Sequence, residues 1–198
     1  MRATITTATA TAALVVFALG TARAADAPQA AAVPGGKFTL TSTDITPGGK
    51  IAEAQVFNGF GCQGGNVSPQ LAWSNAPAGT QSFALLMHDP DAPTGSGWWH
   101  WIVYNIPAGT SSLAAGAGDA HKSALPAGAM QGRTDFGTAG YGGPCPPPGK
   151  AHHYHFYLYA LKAAKLDLPA DATAAFIGFN VHAQAIGKPA ELTGLYGR

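Results

Sequence analysis

Along much of its length the chain alternates apolar and polar positions with the period of two that marks β-strands. "KFTLTST" (37–43) alternates throughout, and "QLAWSN" (70–75) is a short segment of the same kind. "SFALLMHD" (82–89) is a continuous apolar run, the pattern of a buried strand, and it ends on an aspartate. "WWHWIVYNI" (98–106) and "HHYHFYLYAL" (152–161) are dense in aromatic and β-branched residues. Gly, Pro, Asn or Ser clusters bound each of these runs, as they bound strands. One segment has the helical period instead. Asp171 is a plausible N-cap, "ATAAFIGFNVHAQAI" (172–186) follows, and Gly187 and Pro189 stop it. Phe176, Phe179, Ala183 and Ile186 are expected to form its buried stripe. The pattern predicts a mostly β domain, a sandwich or barrel, with one helix near the C-terminus.

Composition adjusts this picture. In 198 residues there are 26 Gly and 15 Pro, which implies many turns, and only 11% of residues are charged. That length favours one domain with a real core. No basic stripe accompanies the net charge of +1, so nucleic-acid binding is not expected.

The first residues account for part of the apolar content. Arg2 precedes the apolar run "AALVVFALG" (12–20), and "ARA" (22–24) fits a cleavage site. This is the order of a secretory signal peptide over residues 1–24. The run is shorter than the roughly 20 residues of a membrane span, so no stable membrane anchor is expected. Residues 25–36 read as a flexible lead-in and 37–198 as the domain. Loss of Arg2 and Arg23 takes the formal charge from +1 to about −1. A periplasmic or secreted protein meets an oxidising compartment. The two cysteines, Cys62 and Cys145, are therefore expected to form a disulfide that anchors the proline-rich 140–149 segment.

Candidate chemistry gathers in "HDPDAPTGSGWWHW" (88–101) and "GYGGPCPPPGKAHHY" (140–154). Asp89 ends one strand. His100 lies inside the next, on the face opposite Trp99 and Trp101 if the alternation is regular. In the 152–161 run, His152, Tyr154 and Phe156 share one face while His153, His155 and Tyr157 share the other. A pocket therefore collects Asp89, His100, His152 and Tyr154 if these strand ends converge. The proline-rich segment is its rim, where Gly142, Gly143 and Cys145 are able to offer backbone donors to an anion. Pro90 and Pro93 stiffen the loop after Asp89. His153 and His155 face the opposite way from His152, and no spaced acid completes a set, so neither a metal nor another cofactor is expected. "DFG" (135–137) comes without the other kinase motifs and reads as a turn.

"DPDAP" (89–93), the histidine opening "HWIVYNIP" (100–107) and "GPCPPPGKAHHY" (143–154) together resemble the phosphatidylethanolamine-binding protein family. The nearest likeness is to its bacterial Raf-kinase-inhibitor-like group, YbhB/YbcL. "NVSPQLAW" (66–73) and "AELTGLYGR" (190–198) resemble that group too, so the likeness spans residues 37 to 198. The resemblance implies a β-sandwich of two antiparallel sheets with a small pocket for phosphate-like anions. Carried over by motif, the pocket residues are Asp89, His100, His152 and Tyr154, walled by Gly143, Pro144, Cys145, Pro146 and Pro147. The family often has arginine where this chain has His153, so the ion pair that the arginine would make is expected to be weakened or absent.

Three functions follow as expectations. The first is a binding protein for a small anionic or zwitterionic ligand such as a phosphorylated head group, regulating a partner. The second is a periplasmic protease inhibitor docking through the same rim. The third is a small hydrolase using Asp89 and a histidine. No Gly-x-Ser-x-Gly elbow supports the third, and a non-enzymatic role is favoured. Partners would be the small ligand, a periplasmic protein or a second copy of the chain in a homodimer.

Overall fold

A computed structural model describes residues 36–198. The expected signal peptide and nearly all of the lead-in lie outside the described residues. The strands are β1 (Thr39–Thr41), β2 (Asn58–Gly59), β3 (Cys62–Gln63), β4 (Leu71–Ser74), β5 (Ser82–Asp89), β6 (Trp98–Pro107), β7 (Ser112–Leu113), β8 (Met130–Gln131), β9 (His152–Leu161) and β10 (Ala190–Tyr196). Helix α1 (Ala174–Gln184) lies between the last two.

A five-stranded sheet in the order β10-β9-β5-β6-β8 faces a three-stranded sheet in the order β1-β4-β7, and β2-β3 form a small ribbon. The named strand pairs are antiparallel. One apolar cluster fills the space between the two larger sheets, with Leu71 and Trp73 on one side and Leu85, Met87, Trp101, Phe156 and Leu158 on the other. A second covers the outer face of the large sheet, where Ala84, Leu86, Ile102 and Leu161 meet Ile177 and Val181 of α1. β5 is thus buried on both faces, which is why its sequence is a run rather than an alternation. The architecture is the β-sandwich with a C-terminal helix that the sequence predicts.

Two elements depart from expectation, the helix and β6. Thr173, not Asp171, caps the helix, its side chain accepting a bond from the Phe176 N–H at 3.2 Å. The buried face is Ala174, Ile177, Gly178 and Val181, while Phe176 and Phe179 are 47% and 72% exposed. The helix is apolar nearly all round, so hydrophobic spacing cannot choose a face. Ile177 reaches close against Gly132, where an added Cβ would lie 2.5 Å from its Cδ1.

The second change sits next to the candidate chemistry. Met87 pairs with Trp101 and His88 with Trp99, so His100 is an extra residue in β6, a β-bulge. The bulge breaks the alternation. Trp99 packs with the outer cluster and Trp101 with the inner one. His100 therefore turns to the inner side together with Trp101, instead of opposing both tryptophans. It meets Tyr154 edge-on, at 5.1 Å between centroids.

Candidate functional site

The C-terminal end of β5, the start of β6 and the start of β9 converge on a pocket of about 190 Å³. Asp89, His100, His152, Tyr154, Cys145, Pro146 and Pro147 line it. Gly143 and Pro144 stand behind that wall. An added Cβ on Gly143 would lie 2.0 Å from the Gln55 carbonyl oxygen. Pro144 offers its own carbonyl to the Phe57 N–H at 3.0 Å.

Asp89 organises the floor. Its Oδ1 accepts from the backbone N–H of Asp91 at 2.9 Å and of Ala92 at 3.1 Å. Its Oδ2 accepts from His152 Nδ1 at 2.7 Å. A carboxylate only accepts, so the imidazole proton sits on Nδ1 and Nε2 is left for other work. One step along β9, the His153 backbone N–H and Nδ1 both donate to Asp91 Oδ2, at 2.7 and 2.6 Å. The histidine in the place of the family's arginine thus still forms a pair, and that pair holds the Asp91 carboxyl below its ordinary range. Successive residues of β9 therefore clamp alternate residues of the "DPDAP" loop. Gly97, with φ at +75°, lets the chain return under that loop, since a Cβ there would meet His88 and the Asp89 carbonyl.

His100 is buried, and Nδ1–H donates to the Gly142 carbonyl at 2.7 Å. Desolvation pulls its pKa down to about 4, against the weaker upward pull of that bond and of Asp89. The ring is neutral at physiological pH, and Nε2 is a lone-pair acceptor. Tyr154 is also fully buried, and its hydroxyl has no hydrogen-bond partner among the described residues. Burial first, then the charge of Asp89 and its pull as a hydrogen-bond acceptor, raise its pKa, so it stays a phenol whose proton is shared between Asp89 and any ligand acceptor.

The backbone donors expected from the glycines are already used. The Gly142 N–H donates to the His100 carbonyl at 2.9 Å, and the Gly143 N–H to Asn66 Oδ1 at 2.8 Å. These bonds fasten the rim segment to β6 and to the 53–66 segment, and they turn the amides away from a ligand.

Residues outside the expected ligand set complete the walls. Ala92, Pro93 and Thr94 form one side. Phe60, Phe136 and Trp98 form an aromatic mouth. Phe60 stacks on Phe136 at 5.8 Å, and Trp98 meets it edge-on at 5.5 Å. They lie on loops or at a strand end, where no periodicity points to them. Cys62 and Cys145 are bonded to each other, tying the Phe60 segment to the proline rim. The three histidines weighed as metal ligands use Nδ1 on three separate carboxylates, with His155 on Glu191 at 2.8 Å.

Residues 41–197 match the sequence profile described as phosphatidylethanolamine-binding protein. The YbcL protein of Escherichia coli is 51% identical over 160 residues, which are 80% of this chain and 87% of that one. The YbhB protein of the same organism is 47% identical over 157 residues, 79% of this chain and 98% of its own. The crystal structure of E. coli YbcL, described as a new member of the mammalian PEBP family, superposes with a TM-score of 0.80 at 49% identity. It covers 82% of this chain and 99% of that one. A phosphatidylethanolamine-binding protein from Plasmodium vivax shares the fold, with a TM-score of 0.53 at 18% identity, over 81% of this chain and 85% of that one.

Proposed function

Because the chain belongs to the phosphatidylethanolamine-binding protein family, we propose that it is an exported binding protein whose pocket takes a small zwitterionic phosphorylated head group. The observation that carries this reading is the unpartnered Tyr154 hydroxyl beside the Asp89–His152 pair. A buried polar atom without a partner is costly, and a ligand oxygen that accepts its proton removes the cost. The rest of the floor accepts. Asp89 is an anion, and neutral His100 presents a lone pair. A bare dianion meets too few donors here. A ligand with a phosphate oxygen for Tyr154 and an ammonium for the acceptors satisfies both kinds of group.

A binding role is favoured over hydrolysis. Thr94 is the one hydroxyl-bearing aliphatic side chain of the wall, and it is committed to the Gly97 carbonyl. Asp89 is held by three donors, the Asp91 and Ala92 amides and His152. Export rests on the signal-peptide order of residues 1–24.

Native mass spectrometry of the protein purified from its own envelope extract tests the reading. The expected result is a mature chain starting near Ala25, with a population carrying a small phosphorylated adduct. A chain that carries nothing and gains no adduct from millimolar phosphoethanolamine contradicts it. A stoichiometric protein adduct instead favours the inhibitor alternative.

A further inference from the structure

The pocket mouth is made by two segments far apart in sequence, one carrying Phe60 and the other Cys145, Pro146 and Pro147. At their base the Phe57 N–H donates to the Pro144 carbonyl at 3.0 Å. In the middle the Cys62–Cys145 disulfide joins them. The third tie comes from outside both segments. Arg198 follows β10, and its Nε–H donates to the Pro146 carbonyl at 2.7 Å while its Nη2 donates to the Phe60 carbonyl at 3.3 Å. The guanidinium packs against Gly61, where an added Cβ would sit 3.2 Å from Nη1.

We infer that Arg198 is a positioning residue of the ligand pocket: its guanidinium clasps the Phe60 segment to the Pro146 segment and so fixes the aromatic mouth over the floor. The inference rests on the reading of this pocket as the ligand site. A planar fork with donors diverging from one rigid group suits two carbonyls on two different segments, and an ammonium does not reproduce that geometry. Both bonds are charge-assisted, the stronger class of hydrogen bond. The tail has its own anchor, since the Gly149 N–H donates to the Arg198 backbone carbonyl at 3.0 Å. Loss of the side chain therefore removes the clasp without releasing the tail. Phe60 is exposed and sits in the turn between β2 and β3, where its ring meets only Phe57 at 5.4 Å and Phe136 at 5.8 Å among the aromatic rings of the described residues. With the clasp broken, the Phe60 ring leaves Phe136 and the mouth opens.

The test compares wild type, Arg198→Ala and Arg198→Lys as full mature chains. Hydrogen exchange read by mass spectrometry follows residues 57–65 and 143–149, and calorimetry follows phosphoethanolamine. In Arg198→Ala these two segments are expected to exchange about tenfold faster, with β5 and β9 unchanged, and the ligand to bind about tenfold more weakly. Arg198→Lys is expected to restore only part of each effect. Unchanged exchange in both segments of Arg198→Ala overturns the clasp, as does full restoration by lysine. If the wild type binds no phosphoethanolamine while the exchange pattern appears, the ligand reading fails and the clasp stands.

Discussion

Asp89 Oδ2 and His152 Nδ1 lie 2.7 Å apart, although 63 residues separate them in the chain. This contact joins the end of β5 to the start of β9, and Asp89 also caps the turn that follows it through the Asp91 and Ala92 amides. Loop, strand junction and pocket floor therefore share one carboxylate. Asp89→Ala is expected to cost about 3 kcal/mol in stability, because it strips the partner from two amides and an imidazole at a buried site. Urea unfolding measures it. A loss under 0.5 kcal/mol would show that the floor does not depend on this carboxylate.

Tyr154→Phe separates binding from stability. The hydroxyl makes no well-formed hydrogen bond among the described residues, so its removal is expected to leave the unfolding midpoint nearly unchanged. The same change is expected to weaken phosphoethanolamine binding about tenfold. Thermal unfolding and titration on one preparation check both. A destabilised variant with unaltered binding would assign the hydroxyl to the fold instead.

Much of the fold was legible because a long strand bounded by turn residues leaves a period or a run. The bounds of β5 and β9 coincide with the segments read from sequence. β10 did not declare itself, because Gly194 interrupts its alternation. That glycine packs on Ile51, where a Cβ would lie 2.7 Å from Cγ1. Strands of two residues such as β2 and β8 carry no period at all. Asp89, His152 and Tyr154 were legible as strand-end residues on consistent faces, with the family likeness pointing the same way. The side to which His100 turns was not, because a bulge is a register event between two strands and one strand's sequence does not contain it. Phe60, Phe136 and Arg198 act from loops and a tail, where only the tertiary arrangement gives them a role.

His100 sets a pH dependence of stability. Its pKa is about 4 in the folded protein, against about 6.5 for a free imidazole. Above pH 6.5 both states are neutral and the group contributes nothing. As pH falls from 6.5 toward 4 the unfolded chain takes up a proton that the native chain refuses, so stability declines, by about 3 kcal/mol in all. Urea unfolding of wild type and His100→Gln at a series of pH values is expected to show a steeper decline between pH 6.5 and 4 in the wild type than in the variant. Parallel curves would contradict the buried, neutral histidine.

The Cys62–Cys145 bond closes a loop with a sequence separation of 83. On the chain-entropy account, reduction costs about 4.5 kcal/mol. Thiol titration of the denatured, unreduced protein should find no free thiol, and unfolding with and without reductant should differ by this order. Two free thiols per chain would refute the bond.

The central claim is that the floor recognises a zwitterion, with Tyr154 donating to phosphate and the acceptors taking an ammonium. Calorimetric titration of phosphoethanolamine and of inorganic phosphate into wild type and His152→Ala tests it most directly. The wild type is expected to bind phosphoethanolamine at least tenfold more tightly than phosphate, and His152→Ala to lose about 1.5–3 kcal/mol of that binding. Equal affinity for both ligands, or a His152→Ala protein that binds like wild type, would contradict the account.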